Sequence, residues 1–111
     1  MSNIVNCIEI IDRIFSTEGV TALMVQGAGT WERGEPSRVS DLDDAIAFNQ
    51  RTAVHTMQAA GERRIIVRRH HGIIFAVEHP VGHPVAKSIE RMLRRAAKRL
   101  APPPATEAAG A

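Results

Sequence analysis

The sequence predicts an α+β domain, an antiparallel sheet packed with helices in the order α-β-β-α-β-β-α. Three observations predict it. Apolar residues recur at three- and four-residue steps in three segments, the period of a helix with one buried face. Between these segments lie short runs rich in Val and Ile, which fit a pleated sheet. Gly and Pro fall at the boundaries. The chain has 111 residues, the size of one ordinary domain. Aromatic residues make up only 4% of it, so the core is built from aliphatic side chains.

Residues 3–17 read as the first helix, with Ile4, Cys7, Ile8, Ile11, Ile14 and Phe15 on one stripe and Gly19 just beyond its end. Residues 20–26, VTALMVQ, follow as a strand. Both of its alternating sets are apolar, which predicts burial on both faces. After Gly27-Ala28-Gly29, a short second strand is expected around Trp31. Ser40 reads as the cap of the second helix, with Asp43 reaching back to it and Asp41, Asp43 and Asp44 at the positive end of the dipole. This helix is expected to run to Ala60 and stop at Gly61. The runs Ile65-Ile66-Val67 and Ile73 to Val77 form a hairpin around Arg68-Arg69-His70-His71-Gly72. His79 to Pro84 reads as a rigid connector. A final helix is expected over 84–100, and the Pro/Ala-rich residues 101–111 read as a disordered tail on a single domain spanning 1–100.

Several kinds of chemistry are disfavoured. Cys7 is the only cysteine, so the chain forms no internal disulfide and no cysteine-based zinc cage. No apolar run approaches the roughly 18 residues that span a bilayer. The start of the chain lacks a basic segment followed by a cleavage site, and the expected location is cytoplasmic. His79 and His83 are four apart, but Pro80 and Pro84 forbid a helix across them. His70 and His71 are strand neighbours that point to opposite faces, so all four read as surface turn residues. Gly27, Gly29 and Gly34 follow a strand, yet no Lys-Ser/Thr pair completes a phosphate loop. No nucleophile, base and oxyanion site assemble, so the sequence predicts no enzyme, no cofactor and no metal.

Two surfaces stand out. The second helix carries apolar residues on more than one side, which predicts a homodimer. Charge is unevenly placed: nine acids fall in residues 1–62, and basic residues concentrate from Arg63 onward. Arg63, Arg64, Arg68, Arg69, Arg91, Arg94, Arg95, Lys98 and Arg99 make a basic hairpin and final helix. They suit nucleic acid, an anionic surface or an acidic protein, or form a solvated face.

The order of these pieces resembles the Roadblock/LC7 family of dynein light chains and bacterial regulators of small Ras-like GTPases. The resembling segments are the first helix ending in Gly19-Val20, the strand VTALMVQ, the Ala-rich DLDDAIAFNQRTAVHTMQAAG, the hairpin RRIIVRRHHGIIFAV and the helix VAKSIERMLRRAAKRL. The match spans roughly residues 3–100 by order and pattern. The resemblance implies a homodimer with paired second helices, a sheet extended across the interface, and contacts at Ile46, Asn49, Gln50, Ala53, Val54 and Met57. It also implies a scaffold or regulator of a small GTPase, without catalytic residues of its own. One departure is visible: the family has a further strand before its last helix, and HPVGHPVAKS leads almost directly into that helix here.

Overall fold

A computed structural model describes residues 2–27 and 29–100, with side chains from Cys7 onward. The expectations for the tail 101–111, for the side chain of Ile4 and for Ala28 lie outside the described residues. The elements are α1 (Ser2–Phe15), β1 (Ala22–Gln26), β2 (Thr30–Arg33), α2 (Pro36–Thr52), β3 (Thr56–Ala59), β4 (Arg63–His70), β5 (Ile73–Pro80) and α3 (Val85–Leu100). The five strands form one antiparallel sheet in the order β2-β1-β5-β4-β3.

Helices cover both faces of this sheet. Leu23, Val25, Ile66, Phe75 and Val77 point to one face, against Ile11 and Ile14 of α1 and Ile89 and Leu93 of α3. The alternate residues Ala22, Met24, Ile65, Val67 and Ala76 point to the other, against Val39, Leu42, Ala45 and Ile46 of α2. The two-faced burial expected of β1 is therefore observed, and the period of two along each strand divides one sheet between two cores. Each fully buried Leu, Ile or Phe contributes roughly 1.5–3 kcal/mol to this arrangement.

The largest correction concerns residues 53–60, which the sequence reads as the second half of a helix. The helix ends at Thr52, and Ala53 takes a left-handed φ of 64° with its N–H donating to the Asn49 carbonyl at 2.8 Å. Two side chains secure this end without a glycine. Asn49 Nδ2 donates to the Val54 carbonyl at 2.9 Å, and the Val54 N–H donates to Thr52 Oγ1 at 3.2 Å. The chain then extends into β3, which pairs with β4 in the register Thr56↔Ile66 to Ala59↔Arg63. The element order is thus α-β-β-α-β-β-β-α, one strand more than expected.

Other boundaries also shift. The second helix starts at Pro36 behind Glu35, not at Ser40, which lies inside it. Proline suits that first position because its φ is preset and the N–H it lacks would have no helical partner. The hairpin strands are longer than expected. Arg68, Arg69 and His70 pair with Phe75, Ile74 and Ile73, leaving only His71 (φ 53°) and Gly72 (φ 78°) as the turn. Two consecutive positive φ angles match the twist of a two-residue hairpin. At the other end β5 continues through Glu78, His79 and Pro80, which the sequence assigns partly to a connector. His79 is consequently buried, at 1% exposure, and donates from Nδ1 to the Pro80 carbonyl at 2.9 Å; it is not a surface turn histidine. The last helix begins at Val85, whose N–H donates to His83 Nδ1 at 3.0 Å.

Candidate functional site

Three places on the molecule combine polar or exposed apolar groups: the α2–β3 surface, the α1–α3 groove and a buried carboxylate on β5. The first is built from an edge strand and a helix. Just before β3, the His55 carbonyl accepts from the Val67 N–H at 2.9 Å. Pairs two residues on therefore share ladder bonds, and the N–H and C=O of Thr56 and Gln58 point outward from the sheet. Met57 and Ala59 lie on the α2 side of the strand, partly buried against that core. Beside them α2 exposes Phe48, at 38%, with the Arg51 guanidinium 5.7 Å from its ring centre. Phe48, Met57, Ala59 and Asp44 line a shallow groove of about 450 Å³. Val54 is exposed at 41% in the link between helix and strand.

The expected dimer contacts divide on this surface. Ile46 is only 4% exposed and sits in the core under α2, so it is not available to a second copy. Asn49 is half-buried and engaged: besides holding Val54, its Oδ1 accepts from Arg69 Nε and Nη2 at 3.2 and 3.0 Å. Gln50 is exposed on the helix. Ala53, Val54 and Met57 are not on the second helix at all, because the chain has left it by Thr52. Phe48 lies outside the expected contact set. It falls off the buried stripe of α2, and a residue off the stripe is the one left for solvent or a partner.

The nine basic residues are not one patch. Arg63 Nε lies 3.7 Å from Glu78 Oε1. Arg68 pairs with Glu90 of α3, and its Nη1 donates to the His55 carbonyl at 2.7 Å. Arg69 is held by Asn49. The hairpin arginines thus mostly brace the fold, with Arg64 half-buried beside Glu90 and His79. Arg91, Arg94, Arg95, Lys98 and Arg99 are exposed on α3, and no salt bridge holds any of them among the described residues. Arg91, Arg95 and Arg99 face α1 across a second groove, of about 430 Å³, whose opposite wall carries Arg13.

The buried carboxylate is Glu78 of β5, at 1% exposure. Thr21 Oγ1 donates to its Oε1 at 2.7 Å, and Arg38 Nη1 approaches the same oxygen at 3.4 Å. With Arg63 this joins the approach to β1, the start of α2 and the start of β4 around one charge. The environment is a paired, hydrogen-bonded acid with cations on it, which fits a structural tie. Among the described residues, no three or more His, Cys, Asp and Glu side chains cluster as metal ligands would. No helix among them is long and apolar enough to cross a membrane. The Gly27–Gly34 region joins two strands, with the Gly27 N–H donating to the Gly29 carbonyl at 2.8 Å. A helix does open soon after Gly34, but it opens behind the carboxylate of Glu35, which repels a phosphate. Comparison of the chain with protein-family models and with curated proteins finds no match.

Proposed function

We propose that the chain is a non-catalytic adaptor that forms a homodimer through α2 and β3 and holds a small Ras-like GTPase, or a larger complex, on the paired domain. The observation that carries this reading is the open β3 edge beside an exposed Phe48. A strand edge with free N–H and C=O groups is normally covered or blunted by charge. The opposite edge is blunted: β2 carries exposed Glu32, and its Arg33 Nε lies 2.7 Å from Asp12 of α1. The β3 edge carries Thr56 and Gln58, which are uncharged.

The helix supports the same pairing. Asp44 and Arg51 lie symmetrically about Ala47 and Phe48. Two antiparallel copies of α2 therefore set Asp44 of each beside Arg51 of the other, with both Phe48 rings near the axis. Such an isologous contact closes on itself. The element order also supports the Roadblock/LC7 resemblance. The strand that the sequence reading lacks is β3, Thr56–Ala59, directly after the second helix; between β5 and the last helix, residues 81–84 form no strand.

Sedimentation equilibrium tests the pairing at concentrations on the order of 10 µM and at low and high salt. A dimer that persists at high salt is expected, since apolar and backbone contacts are screened little. Phe48→Asp should shift the chain to monomer with its circular dichroism unchanged. A wild-type monomer under both conditions would remove the reading. The GTPase arm is checked by titrating a purified Ras-like GTPase, in its GDP and GTP forms, into the dimer by calorimetry.

A further inference from the structure

The groove between α1 and α3 lies on the other side of the sheet from the proposed dimer contact, and its lining has a separate logic. Its floor is apolar, made by Ile10, Ile14, Met92 and Ala96. Its rim is cationic: Arg91, Arg95 and Arg99 from α3, and Arg13 from α1. The three α3 arginines stand at four-residue steps, so they form a row about 6 Å apart along one helix face. Like charges at this spacing weaken a helix. The usual remedy, acids at intervening steps, is absent: Glu90 is the only acid in α3, and Arg68 holds it. A row of guanidinium groups that no acid among the described residues pairs, over an apolar floor, is complementary to one kind of ligand surface.

We infer that the α1–α3 groove is a docking site for an acidic amphipathic helix of a protein partner, its Asp or Glu residues repeated at four-residue steps along a row of Leu or Met. The guanidinium forks take the carboxylates two bonds at a time, and the apolar row of the partner covers Met92, the half-buried residue of the floor. Other anionic occupants fit less well. A lipid surface needs an apolar helix face to insert, and α3 has turned its own, Ile89, Leu93 and Ala97, into the core. A phosphate backbone makes no use of an apolar floor, and the groove presents no aromatic ring on which a base stacks. The residues 101–111 of the chain carry one acid, Glu107, against four arginines. The inference does not depend on the α2–β3 pairing, since the two surfaces share no residue.

The test titrates the full chain into a fluorescein-labelled synthetic helix of about five turns, carrying Glu at four-residue steps beside Leu, and reads fluorescence anisotropy. Saturable binding is expected. Arg95→Glu should weaken it at least tenfold, and a peptide with Lys in place of the one Glu that meets position 95 should recover binding to that variant. Arg94→Glu, outside the groove, should change affinity by less than about twofold. Replacing the peptide's Leu by Ser should also weaken binding, because the floor is then unused. Thermal melts followed by circular dichroism check that the variants fold, and the milder pair Arg91→Gln and Arg99→Gln repeats the measurement if Arg95→Glu does not. Absence of binding, equal loss with Arg94→Glu, or indifference to Leu→Ser would overturn the inference. So would tighter binding to a DNA duplex or to phosphatidylglycerol vesicles, or salt-sensitive self-association that Arg95→Glu abolishes.

Discussion

Glu78 shows how one side chain sets the geometry of several elements. Its carboxylate is almost fully enclosed, while Arg38 and Arg63 each keep about a quarter of their side chains in water, 25% and 29%. Removing the cations leaves a buried charge without compensation, whereas removing the anion leaves arginines that can turn to solvent. Arg38→Met with Arg63→Met should therefore lower stability by about 3–5 kcal/mol, and Glu78→Gln by about 1–3 kcal/mol. Urea unfolding of the three proteins checks the order, and a larger loss for Glu78→Gln would contradict it. The same asymmetry separates Ile46 from Phe48. Both are apolar residues of α2, but Ile46→Asp places a charge in the core and should unfold the chain, while Phe48→Asp should only separate two copies. Gly19 is a further constrained position: its φ is 99°, and an added Cβ would stand 2.5 Å from the His83 ring. Gly19→Ala should lower the melting temperature by several degrees, the shift expected of about 1–3 kcal/mol in a chain of this size.

At the scale of elements, the third strand is where sequence and structure part. Residues 53–60, AVHTMQAA, are rich in Ala and Met, which favour helix. No glycine or proline marks a stop, because Ala53 itself adopts the left-handed conformation and Asn49 and Thr52 supply the capping bonds. A weaker signal was present. Thr52, Val54 and Thr56 are β-branched at every second position, the period of a strand. Helix α3, by contrast, was legible almost to the residue, because its stripe is strongly apolar, Pro84 stands before it and Pro102 after it. The outward groups of β3 give a direct test. Gln58→Pro deletes an outward N–H and leaves the ladder to β4 intact. It should yield a folded monomer in size-exclusion chromatography with light scattering, and a folded dimer would show that the edge is not used.

For the molecule as a whole, the sequence conveyed the two-sided sheet but not the division of its surface. Linear charge counting grouped nine basic residues, and three dimensions sort them into hairpin arginines that brace the fold and α3 residues that face outward. That sorting depends on partners distant in sequence, such as Glu90 for Arg68, and no local pattern announces them. Arg13 likewise joins the arginine row only through the packing of α1 on α3. The result is a body with an uncharged edge on one side and a cationic groove on the other. Salt should therefore act selectively: raising it is expected to leave the sedimentation mass unchanged while it weakens the peptide complex.

The strand order has a consequence for how the chain acquires its structure. Strand β5 lies between β1 and β4, so every interstrand bond that ties the first hairpin to the second half of the sheet runs through residues 73–80. A chain emerging from synthesis holds two unconnected ribbons until that segment appears, and the sheet then closes at its centre, with neither half complete beforehand. Native-state hydrogen exchange should record this seam. Amides of β1 and β5 are expected to exchange only by global unfolding, and the outward amides of Thr56 and Gln58 far faster.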